Sequence, residues 1–192
     1  MGDLTGPYHD TNGKYVQTER GRIPLPLNNF WLPTGAPLAA FADGASPAPG
    51  LALDNSEAAG IRWNNHATPT EAYTTFQAPT DRKPGTVATV KVRASKSGAT
   101  AADTSPFTIT AFNQVDGALH DADANFGGDT GAMDGDATAK TVQLVSRDLA
   151  SADLVDGATV TLSVQPKDGE LDTDDVTVHE VWIDYERAVT AT

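Results

Sequence analysis

From about Ala58 to the C-terminus, apolar and polar residues alternate with period two between short clusters of Gly, Asp and Pro, which is the pattern of half-buried antiparallel strands joined by turns. The spacing predicts seven strands, at Gly60 to Asn64, Glu71 to Gln77, Val87 to Ser95, Phe107 to Gln114, Ala139 to Ser146, Ala158 to Gln165 and Val176 to Arg187. In the third, Ala88, Val90, Val92 and Ala94 alternate with Val87, Thr89, Lys91 and Arg93, giving one inward and one solvated face. The last carries large residues on both faces, as a central, doubly covered strand does. No helix longer than a turn or two is predicted, the best candidate being Asp148 to Leu154. Strands at this spacing make an all-β fold, an antiparallel jelly-roll β-sandwich over residues 51–192. Its core is expected to hold Trp63, Val90, Val92, Ile109, Leu162, Val164 and Ile183.

Residues 1–50 follow a different rule. Prolines stand between large apolar residues in Ile23-Pro24-Leu25-Pro26-Leu27 and Trp31-Leu32-Pro33, and Ala42 to Gly50 is made of small and turn-forming residues. Proline lacks a ladder donor and biases its predecessor to extended backbone, so this stretch reads as an extended arm and linker outside the sheets. Leu25, Leu27, Phe30, Trp31 and Leu32 are too apolar to be left in water, and the expectation is that they bind a partner chain.

Composition narrows the partners. Of 192 residues, 39% are apolar and 7% aromatic, an inventory suited to a thin two-layer core. The formal charge of −13 repels phosphate backbones and anionic lipid heads, so neither nucleic acid nor a bare membrane is an expected partner. The absence of cysteine removes disulfides, thiolate metal sites and cysteine nucleophiles together. Neither a signal-peptide pattern nor an apolar run long enough for a membrane span occurs, and the chain is expected to be made in the cytoplasm without an export signal.

Candidate chemistry is sparse. The segment Asp116 to Asp136 is dense in Asp and Gly, and Asp121, Asp123 and Asn125 fall at the first three ligand positions of a calcium loop. Phe126 and Ala132 stand where that loop needs Gly and Glu, so the segment is expected to be solvated and dispensable for folding, with no cofactor and Ca²⁺ only as the alternative. Asp172, Asp174 and Asp175 read as a charged turn that blunts a sheet edge. Asp184 and Glu186 share one face of the last strand without the surroundings a glycosidase pair needs. His9, His66, His120 and His179 show no zinc spacing, and no nucleophile elbow, Walker loop or dinucleotide fingerprint occurs, so no catalytic residue is assigned. Trp63, Tyr73, Trp182 and Tyr185 belong either to the core or to a flat platform for a sugar.

The segments IRWNNHATPT (61–70), VRASKSGAT (92–100), FTITAFNQ (107–114), GALHDADA (117–124), GDATAKTVQ (135–143) and DDVTVHEVWIDYER (174–187) resemble those of virion surface proteins of tailed bacteriophages. That resemblance implies a non-enzymatic decoration (cement) protein located on the capsid surface, a homotrimer whose partner is the major capsid protein. The rival expectation is a carbohydrate-binding module or a tail-fibre, receptor-binding domain, for which exposed Trp and Tyr on one face would be decisive.

Overall fold

The computed structural model describes residues 8–9, 15–42, 44, 46–52, 59–101, 103–104, 106–114, 126–135, 137–150, 154–170 and 173–190. Its strands are β1 (Tyr8–His9), β2 (Tyr15–Leu25), β3 (Gly50–Ala52), β4 (Gly60–Trp63), β5 (Ala72–Gln77), β6 (Ala88–Lys96), β7 (Phe107–Gln114), β8 (Phe126–Asp129), β9 (Gln143–Leu149), β10 (Thr159–Pro166) and β11 (Val176–Thr190), with one 3-10 turn at Leu27–Asn29. They form two antiparallel sheets, a β-sandwich of jelly-roll type. In the larger sheet β11 is central: β6 and then β9 lie on one side, while β4 with β3, and β2 with β1, share the other side along its length. The smaller sheet has the order β5-β10-β7-β8.

The core lies between the sheets, and alternation puts it there. Ala88, Val90, Val92 and Ala94 of β6 face Phe107, Ile109 and Ala111 of β7 and Val160, Leu162 and Val164 of β10, all of them buried. The seven expected core residues, Trp63, Val90, Val92, Ile109, Leu162, Val164 and Ile183, are each no more than 1% exposed. In β11 the register slips between Val178 and Glu180, so the chain gains one residue at His179. This bulge re-phases the alternation. It lets Val176, Val178, Val181 and Ile183 all belong to the buried core, although they do not fit one unbroken period-two series.

Three expectations are corrected. First, the prolines do not keep the N-terminal segment out of the sheets: β2 pairs with β11 from Val16↔Thr190 to Leu25↔Val181, with Pro24 opposite Trp182. Past Val16, β2 has no second neighbour among the described residues, and an edge strand accepts proline because alternate donors are not used in the ladder. Leu25 and Phe30 are 3% exposed, and Leu27 and Leu32 pack on the same core, so this chain's own sandwich takes the place of the partner expected for them. Second, the segment Asp116 to Asp136 is not wholly a solvated loop. Its later part supplies β8, which pairs with β7, and Met133, which is 2% exposed. Third, Asp148 and Leu149 extend β9 instead of starting a helix, and β9 begins at Gln143, later than expected, because Lys140 turns the chain with φ of 64°.

The end of the sandwich is closed by a buried polar lock. The Lys96 ammonium, 2% exposed, donates to the backbone carbonyls of Thr100, Asp103 and Gly135 at 3.0, 2.9 and 2.9 Å, with the Asp174 carboxylate at 3.9 Å. Asp174 in turn accepts from the Thr100 amide, and Asp103 from the amides of Thr173 and Asp174. Asp175 pairs with Arg62 at 3.0 Å. These acids are internal staples, not the solvated edge turn expected of them; Asp172 lies outside the described residues.

Candidate carbohydrate-binding face

The two sheets present chemically different outer surfaces. On the smaller sheet the outward residues are Tyr73, Thr75 and Gln77 on β5, Thr159, Thr161 and Gln165 on β10, and Thr108, Thr110, Phe112 and Gln114 on β7, with Ser163 of β10 in the same phase but buried. None of these carries a charge. Register sets Tyr73, Ser163 and Thr110 side by side, and Thr75, Thr161 and Phe112 in the next row.

The row is longer than the sheet. Just after the 3-10 turn, Trp31 exchanges both backbone hydrogen bonds with Tyr73, at 2.8 and 2.9 Å, and so extends the sheet by one residue beyond β5. Directly paired residues of an antiparallel ladder point to the same face, which puts the indole of Trp31 beside the Tyr73 ring while its neighbour Phe30 is buried in the core. A tight turn from Leu32 to Ala36 brings Pro37 against Trp31 on the far side. Trp31, Tyr73 and Phe112 are each half-buried, held by the sheet with part of their surface in solvent. From Trp31 to β7 the row spans about 14 Å, three inter-strand spacings.

The ends of this face differ in electrostatics. At the β8 side Asp129 accepts from the Thr108 hydroxyl at 2.9 Å and pairs with Lys167 at 3.1 Å. Partial burial pushes its carboxyl up, but the Thr108 hydrogen bond and the Lys167 charge outweigh this and hold it below the ordinary value. At the β5 side, burial and then the neighbouring Glu71 raise the Tyr73 phenol, so its hydroxyl stays protonated and able to donate. Gly127, beside Thr110, leaves open space over the outer face where a side chain would stand.

The chain is similar to a xylan-binding module, CBM15. The match has a TM-score of 0.51 at 15% identity and covers 90% of this chain and 99% of the other. Weaker likenesses, with TM-scores of 0.49 and 0.47 at 14% identity, are to Xylanase10C from Cellvibrio japonicus in complex with xylopentaose and to the CBM22-1 and GH10 modules of endo-1,4-beta-D-xylanase 10B from Clostridium thermocellum complexed with xylohexaose. This chain covers 28% of each of those two. No protein-family model and no curated protein matches the sequence. The likeness to CBM15 establishes the jelly-roll sandwich.

Of the aromatics expected either in the core or on a platform, Trp63 and Trp182 are buried at 1% and 2% exposure, Tyr185 packs on the core, and Tyr73 lies on the outer face. Trp31, assigned to the arm, and Phe112, not singled out, are its companions. Phe112 was legible in principle: β7 reads Thr108, Thr110, Phe112 on the outward phase, the same uncharged hydroxyl-and-ring pattern as β5. Asp121, Asp123 and Asn125 lie outside the described residues, and among the described residues no three acidic or histidine side chains converge as metal ligands. Asp184 and Glu186 do share an outer face, where each is tied to a cation, Arg22 at 3.1 Å and Lys83 at 3.2 Å.

Proposed function

We propose that this protein is a non-catalytic carbohydrate-binding module whose outer face on the smaller sheet holds a neutral polysaccharide chain of the xylan type. The observation that carries the reading is that Trp31 and Tyr73 lie in one row and Phe112 in the next, set among Thr75, Thr110, Thr161 and Gln165. Pyranose rings offer an apolar C–H face to an aromatic ring and a rim of hydroxyls to amides and hydroxyls, and the β5, β10 and β7 part of this surface supplies both from uncharged side chains. The width of the row suits several consecutive sugars, not a single one. The fold likeness to a xylan-binding module supports it.

The test is affinity for soluble xylan and xylohexaose measured calorimetrically for the wild type and for Trp31→Ala, Tyr73→Ala and Phe112→Ala. Each substitution removes a partly exposed ring and is expected to weaken binding about tenfold with the fold retained. Binding by the triple variant equal to that of the wild type would remove the face from consideration. Failure of the wild type to bind any neutral polysaccharide would remove the function.

A further inference from the structure

The opposite face of the molecule is built for a different ligand. On the larger sheet, the outward side chains of β2, β11 and β6 are mostly charged: Arg20 and Arg22, then Glu180, Asp184 and Glu186, then Lys91 and Arg93. They surround Trp182, which is covered by Arg22 at 4.6 Å and Arg93 at 5.3 Å from its ring centre. Those two guanidiniums are committed, since Arg22 pairs with Asp184 at 3.1 Å and Arg93 with Glu180 at 2.8 Å. Next to them lies an open depression of about 220 Å³ lined by Arg20, Val87, Thr89, Lys91, Asp184 and Glu186, together with Tyr185. Arg20 and Lys91 have no ion pair or hydrogen bond among the described residues, and they are the cations that line it.

We propose that this depression is a subsite for one uronic acid residue of an acidic polysaccharide. Its volume is below the range of about 300–1,000 Å³ typical of pockets for drug-sized ligands, so it takes one ring. Arg20 and Lys91 supply the charge-assisted donors that a carboxylate needs. Asp184 and Glu186, each held by one cation, keep acceptor capacity for ring hydroxyls. Val87, 50% exposed, gives the C–H face of the ring an apolar contact. A phosphate group would meet the same two carboxylates with a higher charge and no hydroxyls to satisfy them. A neutral sugar would leave both cations unanswered. The net charge of −13 does not forbid the site, because at physiological ionic strength charges beyond about 8 Å are largely screened; Asp148, a further carboxylate next to the lining, is held by the Thr89 hydroxyl at 2.8 Å.

The site stands independently of the neutral-glycan face, and the experiment separates the two. Trigalacturonic acid, its methyl ester and xylohexaose are titrated into the isotopically labelled full chain at physiological salt, with Lys91→Gln, Arg20→Gln and the triple variant Trp31→Ala, Tyr73→Ala, Phe112→Ala alongside. Both single substitutions replace solvent-accessible side chains with no partner to orphan among the described residues, so folding is expected to be retained and is checked by melting temperature. Trigalacturonate is expected to shift the amides of Thr89, Lys91 and Asp184, to lose affinity about tenfold with each single substitution, and to be unaffected by the triple variant. The methyl ester should not bind. Absence of trigalacturonate binding, binding unchanged by Lys91→Gln and Arg20→Gln, displacement by acetate or polyglutamate at equal concentration, or shifts confined to the face bearing Tyr73 would each overturn the proposal.

Discussion

Individual side chains hold this sandwich by replacing water completely, and Lys96 is the clearest case. Its ammonium satisfies three backbone carbonyls and faces Asp174 in a site almost without solvent. Lys96→Met would leave three acceptors and one carboxylate buried without their cation, and the expected loss is about 3–5 kcal/mol in a denaturant titration. A loss below about 1 kcal/mol would show that water reaches the lock. Tyr185 offers a pH signature: its hydroxyl donates to Asp81 at 3.1 Å, and burial, then that hydrogen bond, raises its phenol above the ordinary value of about 10. A raised folded-state value means that the stabilisation is complete below the unfolded value and is lost as pH climbs through the folded one. The melting temperature should therefore fall above about pH 10, less steeply in Tyr185→Phe. Tyr185 also explains Gly21, since a Cβ there would collide with its ring.

At the level of elements, β2 is the piece that the sequence hid. The seven strands with clean alternation were legible because period two survives in them and Gly- or Asp-bearing turns cut them. Pro24 and Pro26 concealed β2, although an edge position makes Pro24 harmless, and the Asp/Gly-rich surroundings concealed β8. The bulge at His179 carries no residue signature, so the phase of β11 could not be read past it. The candidate face was half visible: Tyr73 stood out as an aromatic, whereas Trp31 joins it only through a two-bond bridge formed after a chain reversal. If β2 is part of the sandwich, removing residues 1–26 strips Leu25 from the core, a loss of about 2–5 kcal/mol from that side chain alone. For a chain of this length that lowers the melting temperature by about 5–15 °C, readable by calorimetry. A truncated chain with an unchanged melt would restore the reading of this segment as a separate arm.

For the molecule as a whole, two outer faces of opposite character are mounted on one thin core. The smaller sheet offers rings and hydroxyls on β5, β10 and β7, with charge confined to the Asp129–Lys167 pair at its β8 edge, and the larger offers paired and unpaired ions around Trp182. Salt distinguishes them: neutral-glycan binding should be nearly the same at low salt and at about 0.5 M, while uronate binding should weaken, because only the second depends on unscreened charge. In the proposed function the face carrying Trp31, Tyr73 and Phe112 receives a neutral polysaccharide. Mapping amide shifts on addition of xylohexaose tests it most directly. They should cluster at Trp31, Tyr73, Thr110, Phe112 and Thr161; shifts centred on β6 and β11, or none at saturating ligand, would rule that face out.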